Sequence, residues 1–169
     1  MKKHIDLYAY AGTILKGIKH GALVTAKANG KVNPMTIGWG TLGIEWSTPI
    51  FIAFVRESRF TRELLDQNPE FTVNIPLEGD VRQILRVCGT QSGRDMDKVA
   101  ELGLTLEDSE TISVPGIREL PLTLECKLVY RQLQQAKEIA EPHFSDHYPE
   151  PVDAHVAYYG EITAAYILE

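Results

Sequence analysis

Residues 122–130 alternate. Leu122, Leu124, Cys126, Leu128 and Tyr130 lie on one side of a two-residue period, and Thr123, Glu125 and Lys127 on the other. That spacing makes a strand with one buried face. Such a strand needs neighbours, and the sequence supplies them. Ala22–Ala28 reads as a strand, and Asn29-Gly30 after it is a strong two-residue hairpin signal. Residues 32–37 return from that turn, with Pro34 marking an edge or irregular position. Residues 50–55 ("IFIAFV") form a short apolar run suited to a well-buried strand, and residues 71–75 form another that stops at Pro76. His155–Leu168 reads as a long closing strand, in which Gly160 implies a bulge or a sharp bend such as a barrel corner.

Helices are expected to be few and short. Residues 60–66 follow a candidate N-cap at Ser58. Asp80 can cap a helix in which Val81, Ile84, Leu85 and Cys88 fall on one stripe, so Cys88 faces inward. A third helix is expected over residues 94–102. Many strands with small helices outside them predict a mainly β fold, a closed or split antiparallel barrel. At 169 residues the chain is expected to be a single domain over 1–169 with a core that needs no staples. A net charge of -6 argues against a general nucleic-acid binder. No apolar run approaches the length of a membrane span, and the start "MKKHIDLYAYAG" lacks the apolar stretch of a signal peptide. Cys88 and Cys126 sit on separate segments and read as two buried thiols of a reducing, cytoplasmic compartment rather than a disulfide or metal pair.

The stretch "NPMTIGWGTLGIEWSTPIFIAFVRESRFTRE" is denser in chemistry. Gly38, Gly40 and Gly43 formally match a dinucleotide-binding glycine pattern, but "IEWSTP" follows where a crossover helix is required, so that reading fails. A glycine-rich connection remains, one that lets backbone approach a neighbouring strand or a flat ligand closely. Arg56, Ser58, Arg59, Thr61 and Arg62 then surround a strand end and the first turn of a helix. Free N–H groups and a positive dipole end suit an anion there, and basic side chains fit if a phosphate lies between them. Solvated arginines pairing with Glu57 and Glu63 are the competing reading. With Trp39 upstream, a ligand with one flat aromatic end and one phosphate end is the economical expectation. His143 and His147 share a helical face only in a helix, which Pro142, Pro149 and Pro151 disfavour, so no metal site is expected and residues 141–153 read as an ordered, irregular loop. His155 opens the last strand and is expected to bond Asp153 or to face a ligand.

The segment "HGALVTAKANGKVNPMTIGWGTLGIEWSTPIFIAFVRESRFTRELLDQNPEFTVNIP", then "CGTQSGRDMDKVAELGL" and "DAHVAYYGEITAAYIL", resemble in that order the flavin reductase-like, flavoredoxin-containing family of FMN-binding split barrels, from about residue 15 to the C-terminus. The resemblance implies a six-stranded antiparallel split barrel, a homodimer, and FMN near the subunit interface. It implies that Asn33, Met35 and Thr36 line the flavin ring and ribityl chain, that Trp39 covers the ring, that Arg56, Ser58, Arg59 and Thr61 form the phosphate turn, and that Lys98 reaches the phosphate from a separate segment. It places His155 near the flavin or nicotinamide. The implied activity is hydride transfer from NAD(P)H to the flavin, with electrons passed onward to a small molecule or a redox protein. The alternatives are a non-catalytic electron carrier and a split barrel for another ligand such as haem. Because a flat ring needs two walls, the loop 141–153 with Phe144 and Tyr148 is the candidate reach across a two-fold axis.

Overall fold

The computed structural model describes residues Met1–Glu169. Its strands are β1 (Lys2–His4), β2 (Ala22–Ala28), β3 (Lys31–Ile37), β4 (Gly40–Glu45), β5 (Thr48–Arg56), β6 (Glu70–Ile75), β7 (Leu106–Glu107), β8 (Gly116–Ile117), β9 (Leu122–Leu133) and β10 (His155–Leu168). Its helices are α1 (Leu7–His20), α2 (Phe60–Gln67), α3 (Arg82–Thr90), α4 (Lys98–Leu102) and α5 (His143–His147), with a 3-10 turn at Ala136–Glu138.

Eight strands form one antiparallel sheet. Seven run in the order β3-β2-β6-β9-β10-β5-β4, and β1 pairs with the far end of β10. The two ends of that path, β3 and β4, are consecutive in sequence and are not hydrogen-bonded to each other; Gly38 and Trp39 cross between them. The barrel is therefore split between β3 and β4, as expected. The sheet holds eight strands where the family resemblance implies a six-stranded barrel. Gly38 to Gly43 was expected to be a connection, yet most of it is β4, paired residue for residue with β5. Gly40 is needed there, since a Cβ would stand 2.6 Å from the Phe51 ring. Asn29 and Gly30 both take positive φ (50° and 76°), the two-residue hairpin the sequence predicts, and Pro34 sits on β3 at the end of the path.

The interior is filled by alternate residues of the strands. Val24 and Ala26 of β2, Phe71, Val73 and Ile75 of β6, and Leu122, Leu124 and Cys126 of β9 form one cluster with Ile14 and Ile18 of α1. Thr123 and Glu125 on the polar face of β9 are buried too, which the alternation does not foretell, while Lys127 is exposed and Tyr130, expected on the buried face, is exposed as well because the second half of β9 runs out to solvent. Residues 104–121 cover the buried part of that face, and the carboxylate of Glu125, fully buried, accepts the backbone N–H groups of Glu110 and Thr111 and the hydroxyls of Thr111 and Tyr166. Those four donors replace the water the carboxylate loses and hold its pKa below the ordinary glutamate value against the effect of burial.

Several helices differ from expectation. The longest, α1, is not foreseen. Asp6 caps it by accepting from the N–H groups of Tyr8 and Ala9, and Gly21 ends it at φ 118°. Helix α2 is capped by Arg59, not Ser58, and has no side-chain cap bond. Asp80 lies one residue before the N-cap Val81 of α3, and still accepts the Arg82 N–H at 3.0 Å. Helix α4 is shorter than residues 94–102 and starts after an Asp97 cap. Helix α5 forms despite the prolines, because its five residues fit between Pro142, at the N-cap, and Tyr148. The segment 141–153 is thus a strap with one helical turn, and its Glu141-Pro142 and Glu150-Pro151 bonds are cis.

Gly160 does mark a bulge: the β9–β10 register shifts between Tyr159 and Gly160. A Cβ at 160 would lie 2.4 Å from the Phe71 ring and 2.7 Å from Cys126 Cβ. Gly160→Ala is expected to lower unfolding free energy by roughly 1–3 kcal/mol through overpacking, read as a lower denaturant midpoint at unchanged slope.

Candidate functional site

Three adjoining cavities make one groove beside the split. The first, of about 330 Å3, is polar. The ends of β5 and α2 supply Arg56, Ser58, Arg59 and Thr61, β3 supplies Asn33 and Met35, and α4 supplies Lys98. The second, of about 170 Å3, shares Met35, Arg56 and Arg59 with the first and adds Thr36, Trp39, Phe54 and His155. The third, of about 570 Å3, shares Trp39 and Phe54 with the second and is walled by Ile18, Ile139, His147 and Tyr148. All nine residues assigned to a cofactor from sequence, together with His155, therefore line one continuous surface, cationic at one end and aromatic at the other.

Lys98 gives the polar end its character. It is 3% exposed, and its ammonium donates to the carbonyls of Pro34 (3.0 Å) and Cys88 (3.1 Å). No carboxylate lies within ion-pair distance of it. Burial pushes its pKa below the usual lysine value, and the nearby Arg59 guanidinium pushes the same way. A buried cation with carbonyl partners and no counter-charge, lining a cavity with two arginines, fits a phosphate group better than it fits a structural role. Arg59 donates to the Gly89 carbonyl at 2.8 Å, which aims it across the cavity toward α3.

Asn33 is buried and donates to the Thr61 hydroxyl at 3.0 Å, so both side chains are fixed in the cavity wall. The wall opposite is Gly93, where a Cβ would meet Asn33 Oδ1 at 2.1 Å. Thr36 is otherwise engaged, its hydroxyl donating to the Leu85 carbonyl at 2.7 Å to hold β3 against α3. Arg62, grouped with the anion cluster in the sequence, does not line the groove; it pairs with Glu57 and Asp66.

The cavity also takes Thr90, Gln91, Ser92, Gly93 and Arg94, none of which the sequence reading assigns. Their signal was present, since "CGTQSGRDMDK" precedes Lys98 and its glycine and hydroxyls suit close backbone approach. Arg94 pairs with Glu63, while of the arginines in the competing surface reading only Arg62 forms such a pair, with Glu57.

Arg56 is turned to the strap. Its two guanidinium NH2 groups donate to the carbonyls of Asp153 (2.8 Å) and His147 (3.0 Å), and it lies over the Tyr148 ring at 5.4 Å. The strap in turn brings His147 against Trp39, with ring centroids 4.9 Å apart. Trp39 is also 5.0 Å from the ring of His155. His155 does not bond Asp153; its Nδ1 shares a 2.9 Å hydrogen bond with the Tyr148 hydroxyl. Burial, then the Arg56 charge, lower its pKa to about 4, so the imidazole is neutral at neutral pH. His143 and His147 do share a short helix, yet no group of three or more His, Cys, Asp or Glu side chains is arranged to hold a metal ion.

The chain is thus an antiparallel split barrel with a groove that is cationic at one end and aromatic at the other. The flavin reductase like domain matches residues 19–169, and the chain belongs to that family. A flavoredoxin from Methanosarcina acetivorans has a similar structure, with TM-score 0.67 and 29% identity over 88% of this chain and 68% of that one. The FMN-binding domain of a flavin reductases-like enzyme from Shewanella baltica matches 99% of this chain and 77% of its own at TM-score 0.67 and 21% identity, which speaks to the fold. Among curated proteins, an uncharacterized protein of Archaeoglobus fulgidus is 32% identical over 99 residues, 59% of this chain and 55% of its own length. Escherichia coli YddH is 31% identical over 98 residues, 57% of this chain and 51% of its own. The chain spans little more than half the length of these curated relatives. No helix is long and apolar enough to cross a membrane.

Two outcomes follow from the buried groups. His155 is protonated in the unfolded chain below about 6.5 but neutral in the folded one down to about 4, so the unfolded state binds the extra proton in that window. Acidification from pH 6.5 to 4 is expected to cost about 3 kcal/mol of stability through this residue, and a His155→Gln variant measured by denaturant titration across that range should lack that share of the slope. Cys88 and Cys126 are buried free thiols, and burial raises the Cys88 pKa to about 11 and that of Cys126 well above its usual value. Both are expected to react slowly with an alkylating agent in native protein and rapidly in denaturant; fast native labelling would assign them a redox role.

Proposed function

We propose that the chain binds FMN along the groove and is an NAD(P)H-dependent flavin oxidoreductase. The observation that carries the reading is Lys98, a buried ammonium without a carboxylate at the polar end of a groove whose other end is aromatic. FMN, when bound, supplies the hydride acceptor and the electron store. The chain's own part is to hold and to shield. Lys98 and Arg59, with the α2 N-terminus, take the phosphate charge. Asn33, fixed by Thr61, and the backbone around Met35 and Thr36 line the middle of the groove. Trp39 and Phe54 keep water from the flat end, beside a His155 imidazole that carries no charge at neutral pH to disturb a ring there.

A non-catalytic electron carrier is the second reading, favoured by the 29% identity to a protein that is itself a flavoredoxin. The same reading includes a homodimer in which a second copy closes the open side of the aromatic end, and a cytoplasmic setting in keeping with two unpaired thiols. Redox protein acceptors remain within either version.

The purified protein should take up FMN and show a flavin spectrum, which haem would replace with a Soret band. It should prefer FMN to riboflavin. Lys98→Met or Arg59→Ala should each weaken FMN by about 1.5–3 kcal/mol while riboflavin affinity barely moves, and for Arg59→Ala the FMN-free melting temperature should barely move as well. Equal affinity for both flavins would sink the phosphate assignment. Steady NADH or NADPH oxidation with FMN present separates the enzyme from the carrier. Diluting the protein during an FMN titration tests the shared site, because affinity should fall as a dimer dissociates.

A further inference from the structure

The strap brings a carboxylate of its own into the cationic cavity. Asp153 lines that cavity together with Arg56, Ser58, Arg59 and Lys98. Its Oδ1 accepts the backbone N–H of Ser58 at 3.2 Å and its Oδ2 accepts the Ser58 hydroxyl at 2.5 Å. These are two donors at the head of α2, one residue before its N-cap. The Asp153 carbonyl meanwhile accepts from Arg56. Asp153 forms no ion pair with any of the cations around it, so what it occupies is a donor position and not a charge partnership. A carboxylate in that place presents two acceptor oxygens and one negative charge to a set of donors suited to an incoming anion.

We propose that Asp153 is a built-in competitor for the phosphate of the ligand, and that it sets the affinity of this site low enough for the flavin to exchange instead of remaining as a permanent prosthetic group. This rests on the FMN reading above and deepens it. Two anions cannot both accept the same N–H and O–H of Ser58, and like charges at such a separation repel in a partly desolvated cavity. A phosphate that reaches Ser58 therefore displaces the Asp153 side chain, while one that avoids Ser58 still lies beside an unneutralised carboxylate. In either case the strap loses or strains one of its attachments when the ligand enters. The remaining ties are the Arg56 bonds to the strap carbonyls, the Tyr148–His155 bond and the Glu57 N–H donated to the Ala154 carbonyl at 2.9 Å. A ligand without phosphate does not meet the competitor, so Asp153 acts on FMN and leaves riboflavin alone.

The test is Asp153→Asn, which keeps an acceptor for Ser58 and removes the charge, with Asp153→Ala as a second variant and melting curves to show that both fold. FMN, riboflavin and inorganic phosphate are titrated into wild type and variants, with equilibrium binding and the FMN release rate as readouts. FMN should bind Asp153→Asn about tenfold tighter and leave more slowly, tenfold being what about 1.4 kcal/mol of relieved repulsion gives. Riboflavin should be unchanged. Unchanged or weaker FMN binding overturns the competition, and so does an equal shift for both flavins, which would make Asp153 a structural tie of the strap. If no protein binds FMN but Asp153→Asn binds phosphate more tightly than wild type, the flavin reading fails and the competition stands. If none binds either anion, both fall.

Discussion

The pairing of β10 is what the barrel hangs on. This strand bonds β9 along one side and β5 along the other, and its last residues take β1 as well. A strand in that position cannot stay straight if the sheet is to curl. The register shifts at Tyr159/Gly160 and at Ile162/Ala164 let it bend. At the first of these the absence of a side chain leaves room for Cys126 on the paired strand β9 and for the Phe71 ring of β6 beside it. The open edge lies between β3 and β4, and Trp39, which crosses it, lines two of the three cavities of the groove.

The site is built from chain ends converging on the gap. Arg56 closes β5, Arg59 opens α2, Met35 lies near the end of β3, and Lys98 opens α4. Placing several cations so close costs electrostatic energy, and the structure answers with carbonyls: Pro34, Cys88, Gly89, His147 and Asp153 each accept from one of them. Carbonyl dipoles hold the side chains in place without cancelling their charge. A charge held open in this way remains available to an anion, as a neutralised one does not.

The strands were legible because alternation and the Asn29-Gly30 turn are local signals, and the anion cluster was legible because Arg56 to Thr61 is contiguous. What could not be read depends on chain that is distant in sequence. The helix α1 carries Gly12 and Gly17, which blur its stripe of Leu7, Ile14 and Ile18, although Asp6 and Gly21 bracket it with clear caps. β4 reads as a loop because of its glycines, yet Gly40 is demanded by the Phe51 ring opposite. The polar face of β9 looks solvent-facing because nothing local announces that residues 104–121 fold over Glu125. The strap differs from the expected irregular loop for a similar reason. Prolines rule out a long helix but not one turn, and Arg56 holds the strap by backbone carbonyls, which carry no residue signature. Lys98 illustrates the limit most plainly, for its spacing alone describes a solvated helix lysine while its burial comes from α3 and β3.

The burial of Lys98 also bears on how long such a protein lasts in a cell. On the FMN reading, a ligand that binds only the folded chain raises its stability with the logarithm of its concentration. Degradation that follows transient unfolding then slows as the ligand becomes abundant and quickens as it runs short. On that same reading the supply of the ligand would help set the steady-state amount of the protein, with no sensor or regulator other than the fold.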